Sequence, residues 1–133
     1  MQPRRTCWIF ALLLACVGSA RADDLYLTCH PGVSIAAADF RDVFLGEKQF
    51  IDSTRLIPVD NVAEQGLFLE KVLKMTAVKY ATTWAKKSFR DGVNPPAAMA
   101  NDAAVLDFIR RTPGVCGYVG IEPSQGVVMI AKY

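Results

Sequence analysis

Residues 101–120 (NDAAVLDFIRRTPGVCGYVG) carry the pattern that most restricts the fold of this chain. The first half predicts a helix, because its apolar side chains recur at three- and four-residue spacing. Asn101 or Asp102 can cap this helix, since a short side-chain oxygen accepts the free N–H groups of a first turn. Residues 112–114 (TPG) end it. Residues 115–119 (VCGYV) then read as a buried strand, and a helix leading into such a strand is typical of an α/β layer.

The first 22 residues have the features of a secretory signal peptide. A basic start precedes an apolar run at residues 7–17, which is too short to cross a bilayer as a helix. Residues 20–22 (ARA) match the small-x-small cleavage pattern. Cleavage there leaves residues 23–133 as a single domain in the periplasm, large enough to bury a core. A looser alternative is lipidation at Cys16, which ends a lipobox-like stretch, LLAC.

Removing the signal changes the charge of the chain. Of its 15 Lys and Arg residues, Arg4, Arg5 and Arg21 lie before residue 23, which leaves 12 against 13 Asp and Glu. This balance, without an arginine run or a basic patch, argues against a nucleic-acid partner. We expect no membrane span after residue 22, because no other apolar run is long enough.

Two cysteines, Cys29 and Cys116, follow the predicted signal. An exported compartment is oxidising, so they can form one disulfide. They can also remain two buried thiols that pack as small apolar groups. The sequence leaves both alternatives open, because it does not give the Cα separation that a disulfide requires. Neither cysteine lies in a C-x-x-C pattern, which argues against a redox-active pair.

The order of predicted elements favours one three-layer α/β domain. Strands are predicted at residues 24–30, 56–60, 115–119 and 126–133, with helices at 36–45, 61–74, 78–89 and 102–111. Strands separated by helices favour a mostly parallel sheet with right-handed crossovers. The last two strands, separated only by a turn, predict an antiparallel strand at the edge. Within residues 78–89 we expect Tyr80, Trp84 and Phe89 to face the core and Lys86 and Lys87 to face solvent.

Several motifs, in this order, resemble the substrate-binding proteins of phosphate ABC transporters. They are residues 40–46 (FRDVFLG), residues 56–60 (LIPVD) ahead of Phe68, Trp84 with Phe89, Gly92, Pro95-Pro96, and residues 112–119 (TPGVCGYV). The family usually has T-P-G-A-I-G-Y-V in the last motif. The resemblance spans residues 34–120 and implies the fold of type 2 periplasmic binding proteins, in which two α/β lobes close on a ligand at a hinge. This chain has the length of one lobe.

The same resemblance implies an anion site, at which the chain departs from the family pattern. The family's phosphate loop usually reads S-G-T-R, four to six residues before the phenylalanine that matches Phe68. Here residues 62–65 read VAEQ, without hydroxyls or arginine. Glu64 would repel an anion at a helix N-terminus that otherwise suits one. We therefore expect docking of a partner protein or self-association, with a small-anion receptor as the alternative function.

The predicted ligand site lies beyond the carboxyl ends of the strands, where open α/β sheets bind ligands. It combines His30, after the first strand, with residues that follow the second: Asp60, Asn61, and the backbone N–H groups of Val62, Ala63 and Glu64. The alternative interpretation is structural. In that case Asp60 and Asn61 are helix caps, and His30 is exposed at the end of a strand.

The residue types predict binding rather than catalysis. The chain has one histidine and no G-x-S-x-G elbow. Cys29 and His30 are adjacent in a strand and point to opposite faces, so they do not form a dyad. One histidine and scattered carboxylates do not supply a metal site. We expect no cofactor. An exported enzyme stays a third hypothesis, which requires a nucleophile and base brought together by the fold.

Overall fold

A computed structural model describes residues 23–133; the predicted signal peptide and Cys16 lie outside them. Its strands are β1 (Tyr26–Cys29), β2 (Phe50–Ile51), β3 (Thr54–Arg55), β4 (Ile57–Asn61), β5 (Ala97–Met99), β6 (Val115–Val119) and β7 (Val128–Lys132). Its α-helices are α1 (Ala37–Phe44), α2 (Gln65–Phe68), α3 (Ala77–Asp91) and α4 (Asp102–Arg111). A π-helical turn, Leu69–Leu73, continues α2. Within this part of the chain no helix combines the length and apolarity needed to cross a bilayer.

Five of the strands form one sheet in the order β5-β4-β6-β1-β7, and β2 pairs with β3 in a separate hairpin. β4 is parallel to both β5 and β6, whereas β1 is antiparallel to β6 and β7. The α/β class is therefore confirmed. The predicted antiparallel edge strand is present, because β7 lies at the edge and is antiparallel to β1. The last two strands do not pair directly, since β1 lies between β6 and β7. All four residues of β1 are buried, which suits a strand with a neighbour on each side.

Helices cover both faces of the sheet. On one face, α1, α2 and α3 bury a core with three phenylalanines, and the ring of Phe68 stacks on that of Tyr118 with centroids 3.9 Å apart. On the other face, α4 packs Val105 and Ile109 against β4 and β6. Gly117 permits this close approach, since a Cβ atom there would lie 2.8 Å from Val105. These two cores give the molecule three layers.

The predicted orientation of α3 holds for Tyr80 and Trp84, which are buried, but fails at its last turn. Phe89 is 95% exposed. Lys87 is buried instead, and its Nζ donates to the carbonyl of Leu45 and contacts Glu47 Oε1, both at 3.3 Å. Positions 80, 84 and 87 follow one face of a helix, and position 89 lies well away from that face.

Candidate functional site

The predicted strand-end cleft is not assembled, because β1 runs against its neighbours. The backbone N–H of His30 donates to the carbonyl of Val115 at 2.9 Å, at the start of β6. Asn61 donates to the carbonyl of Tyr118 at 3.0 Å, near the end of β6. His30 therefore lies at the end of the sheet where β6 begins, and Asp60 and Asn61 lie at the opposite end, where β6 finishes. The predicted grouping of His30 with Asp60 and Asn61 is wrong.

The backbone N–H groups proposed to hold an anion already have acceptors. Val62 donates to the carbonyl of Met99 at 2.9 Å, and Glu64 donates to the carbonyl of Asn61 at 3.1 Å. Ala63 donates to Asn61 Oδ1 at 3.1 Å. Residues 62–64 thus form a turn that is closed by β5 and by the Asn61 side chain, and α2 begins only at Gln65.

Asp60 is a buried carboxylate with two phenol donors, not a helix cap. The hydroxyl of Tyr80 donates to Oδ2 and that of Tyr118 donates to Oδ1, each at 2.8 Å. Burial raises the pKa of Asp60, and the two hydrogen bonds oppose that shift. Burial and the adjacent carboxylate raise the pKa of both tyrosines, so their hydroxyls stay protonated donors. The three side chains connect β4, β6 and α3.

Asn61 ties the end of β4 to α4 and β6. Its Nδ2 donates to Asp102 Oδ1 at 2.7 Å and to the carbonyl of Tyr118 at 3.0 Å. Asp102 Oδ2 in turn accepts the backbone N–H of Gly120 at 3.2 Å. Asn101, not Asp102, caps α4 by accepting from Ala104 at 3.0 Å. The role of Asn61 is therefore structural, but Asn61 is not the helix cap that the alternative interpretation expected, because α2 begins at Gln65 with Glu64 as its N-cap residue.

Carboxylates dominate the end of the sheet where β4 and β6 finish. The Glu64 side chain lies against Gly120, so that a Cβ atom on Gly120 would collide with its carboxylate. Burial, and then the negative charges of Asp102 and Asp23, raise the pKa of Glu64. An anion here would meet negative charge and no free N–H group at residues 62–64. The side chains at this end of the sheet thus join β4, β6 and α4, and they do not form a phosphate site.

Strand β5 lies at the lateral edge of the sheet, where its outer side has no neighbouring strand in the part of the chain that the structure describes. The sequence did not predict this feature. Within residues 23–133, β5 pairs with β4 only. A recess of about 400 Å³ lies on its α3 face, beside Ala98, Ala81 and Ala85. A second recess of about 260 Å³ lies on its α4 face, beside Ala97 and Phe108. The sequence signal was weak, because the segment PPAAMA has neither β-branched nor aromatic residues.

The two cysteines form a buried disulfide between β1 and β6. Cys29 and Cys116 are direct partners in the antiparallel ladder, with Cα atoms 4.1 Å apart. Both side chains are fully buried, so neither sulfur lies at the surface. No group of three or more His, Cys, Asp or Glu side chains between residues 23 and 133 is arranged to hold a metal ion.

No protein-family model and no curated protein matches this chain. The likeness to phosphate transporter receptors therefore depends on the order and spacing of the sequence motifs. The site with the clearest geometry is the open edge of β5.

Proposed function

We propose that this chain is an exported binding module, one lobe of periplasmic-binding-protein type, that docks an extended segment of a partner protein on β5. It acts by binding rather than by catalysis. The observation that carries this proposal is the open edge of β5, with a recess on each face. An extended segment that adds to such an edge gains main-chain hydrogen bonds and places its side chains in flanking pockets.

The positions of the two recesses match the geometry of an added strand. Successive side chains of a strand point to opposite faces of its sheet. Ala97 is the neighbour of Val59, which faces α4, and Ala98 is the neighbour of Asp60, which faces α3. A strand beside β5 would therefore send alternate side chains towards the two recesses. The small alanine side chains leave that space open.

The remaining parts of the proposal rest on separate observations. The buried disulfide suits an exported protein, because exported compartments are oxidising. The same disulfide leaves no thiolate at Cys29 or Cys116 for nucleophilic catalysis. The sequence motifs of residues 34–120 support the part of the proposal that describes the domain as one lobe of periplasmic-binding-protein type. Phosphate capture at residues 62–64, the alternative function, is disfavoured by the occupied N–H groups and by Glu64.

The test is selection of a displayed library of random peptides on the wild-type chain, followed by binding to variants. Ala98→Lys places a charged side chain in the larger recess, and Met129→Lys places the same charge on β7, where Met129 is 50% exposed. We expect selected peptides to lose about tenfold in affinity for Ala98→Lys, or about 1.4 kcal/mol, and to bind Met129→Lys normally. Amide NMR shifts should centre on Ala97–Met99. Failure to enrich any peptide, or equal binding to both variants, would contradict the proposal.

A further inference from the structure

We infer that a cavity between the ends of α1 and α3 and the start of β4 binds a small monocarboxylate with an apolar body. The cavity lies at the opposite end of β4 from Asp60 and Asn61. It adjoins the α4-face recess beside β5, because Arg55, Leu56, Pro58 and Asn94 line both, but its ligand and its test do not depend on the docking function. It lies away from the strand-end turn where the sequence motifs placed an anion.

The cavity has the size of a small organic molecule. Its volume is about 220 Å³. An apolar protein cavity of about 150 Å³ takes up benzene, so this volume has room for a six-membered ring with one carboxylate group. Trp84 and Leu56 supply apolar wall, and Gln49 and Asn94 supply amide groups. The accessible lining is mixed and somewhat more polar than apolar, which suits a ligand with one polar end and a small apolar body.

The charge of the lining selects an anion. Lys48 and Arg55 line the cavity, and no carboxylate does. An arginine guanidinium binds a carboxylate through two parallel hydrogen bonds, which gives orientation as well as affinity. Lys48 also contacts Asp39 at 3.4 Å, with both side chains partly exposed. Such a surface pair contributes roughly 0–1 kcal/mol, so Lys48 can turn to a ligand at little cost.

Hydrogen bonds within the protein hold the walls of the cavity in place. The backbone N–H of Leu56 donates to the carbonyl of Gln49 at 2.8 Å, which joins the segment that holds Lys48 to the one that holds Arg55. Trp84 Nε1 donates to the carbonyl of Phe44 at 3.1 Å, and Lys87 Nζ donates to that of Leu45. These bonds satisfy carbonyls at the end of α1, which would otherwise repel an anion.

The lining of this cavity differs in charge from the turn at the end of β4. Asp60, Glu64 and Asp102 gather at the carboxyl end of β4, whereas Lys48 and Arg55 flank its beginning. A small anion in the cavity meets Lys48 and Arg55, and the carboxylate that contacts Lys48 is that of Asp39.

The test is a titration of the full chain with benzoate, followed by the indole N–H signal of Trp84 in ¹⁵N NMR spectra. The chain has one other tryptophan, Trp8, and a Trp8→Phe variant assigns the two signals. Three matched compounds separate the contributions: benzamide lacks the charge, acetate lacks the ring, and inorganic phosphate is an anion without an apolar body. We expect saturable shifts with benzoate and affinities at least about tenfold weaker for each of the other three.

Two variants locate the charge that the ligand meets. Arg55→Gln should weaken benzoate binding by about tenfold, and Lys86→Gln, an exposed change on α3 outside the cavity, should leave it unchanged. Added salt should weaken binding to the wild type more than to Arg55→Gln. The inference is overturned if benzoate produces no saturable shift at Trp84. It is also overturned if benzamide or phosphate binds as tightly as benzoate, or if Arg55→Gln binds like the wild type.

Discussion

The hydroxyl of Tyr118 lies 2.8 Å from Oδ1 of Asp60, at a point where both side chains are buried between the sheet and α3. Tyr80 holds the other carboxylate oxygen at the same distance. A carboxylate in such a place is tolerated only when both of its oxygens are hydrogen-bonded. The position that the sequence assigned to a ligand is therefore occupied by the protein itself.

Removing the Tyr118 hydroxyl should destabilise the fold. Tyr118→Phe leaves Asp60 Oδ1 without its donor, and hydrogen bonds to charged groups contribute about 1.5–3 kcal/mol. We expect a loss of that size in the free energy of unfolding, measured by urea denaturation. Tyr133→Phe is the control, because Tyr133 is 41% exposed, and it should change stability by less than about 0.5 kcal/mol. Equal effects of the two changes would contradict this role for Asp60.

Asp60 should also give the protein a pH-dependent stability. Burial raises its pKa in the folded state, so the folded state holds its proton to higher pH than the unfolded state does. Stability from this group is full below about pH 4 and is lost as the pH rises through the raised pKa. Asp60→Asn has no such titration. The free energy of unfolding of the wild type minus that of Asp60→Asn should therefore fall with rising pH; parallel curves would refute the assignment.

The disulfide should be a large contributor to stability. Cys29 and Cys116 are 87 residues apart, and closing a loop of that length in the unfolded chain contributes about 4.5 kcal/mol in the chain-entropy model. The variant with both cysteines changed to alanine should lose several kcal/mol in urea denaturation, and a reducing agent should not affect it further. A stable wild type after full reduction would contradict this prediction.

Asn61 should be intolerant of a carboxylate. Asn61→Asp replaces the Nδ2 donor, 2.7 Å from Asp102 Oδ1, by an acceptor of the same charge as Asp102. We expect a loss of about 3 kcal/mol or more at neutral pH, measured by thermal or urea unfolding, because the new charge is buried and faces the half-buried Asp102 without a compensating cation. Adding Asp102→Asn should recover at least about 1 kcal/mol of it. Additive losses in this double-mutant cycle would show that the two side chains do not interact.

The local elements were predictable where one pattern dominates a segment. The helix and strand of residues 101–120 follow from spacing, a cap and a turn, all of which act within a few residues. Leu25 and Leu27 lie in one core and Tyr26 lies in the other, which is the alternation that the strand predicted at residues 24–30 requires. In α3, by contrast, Lys87 and Phe89 exchanged their expected environments. Lys87 reaches a carbonyl and a carboxylate with its charged end, which hydropathy alone does not indicate.

The strand order was not predictable, and the site depended on it. Alternation tells which side chains share a face, but not which strand lies beside which, or in which direction it runs. The helical crossover between β1 and β4 suggested parallel strands. The direction of β1 is fixed instead by its pairing with β6 and β7. Because β1 is antiparallel to β6, its last residues lie beside the start of β6, and His30 is at the opposite end of the sheet from Asp60. The β5 edge escaped notice because three residues are too few for a periodic signal.

The position of β1 has a consequence for how the chain reaches this shape. Both of its hydrogen-bonding neighbours come from the last fifth of the sequence, so β1 stays without a ladder while the ribosome makes everything in between. Such late, distant pairing slows folding and leaves an apolar strand open to wrong partners in the meantime. A chaperone that shields the region around Leu25 and Leu27 would protect the molecule during that interval.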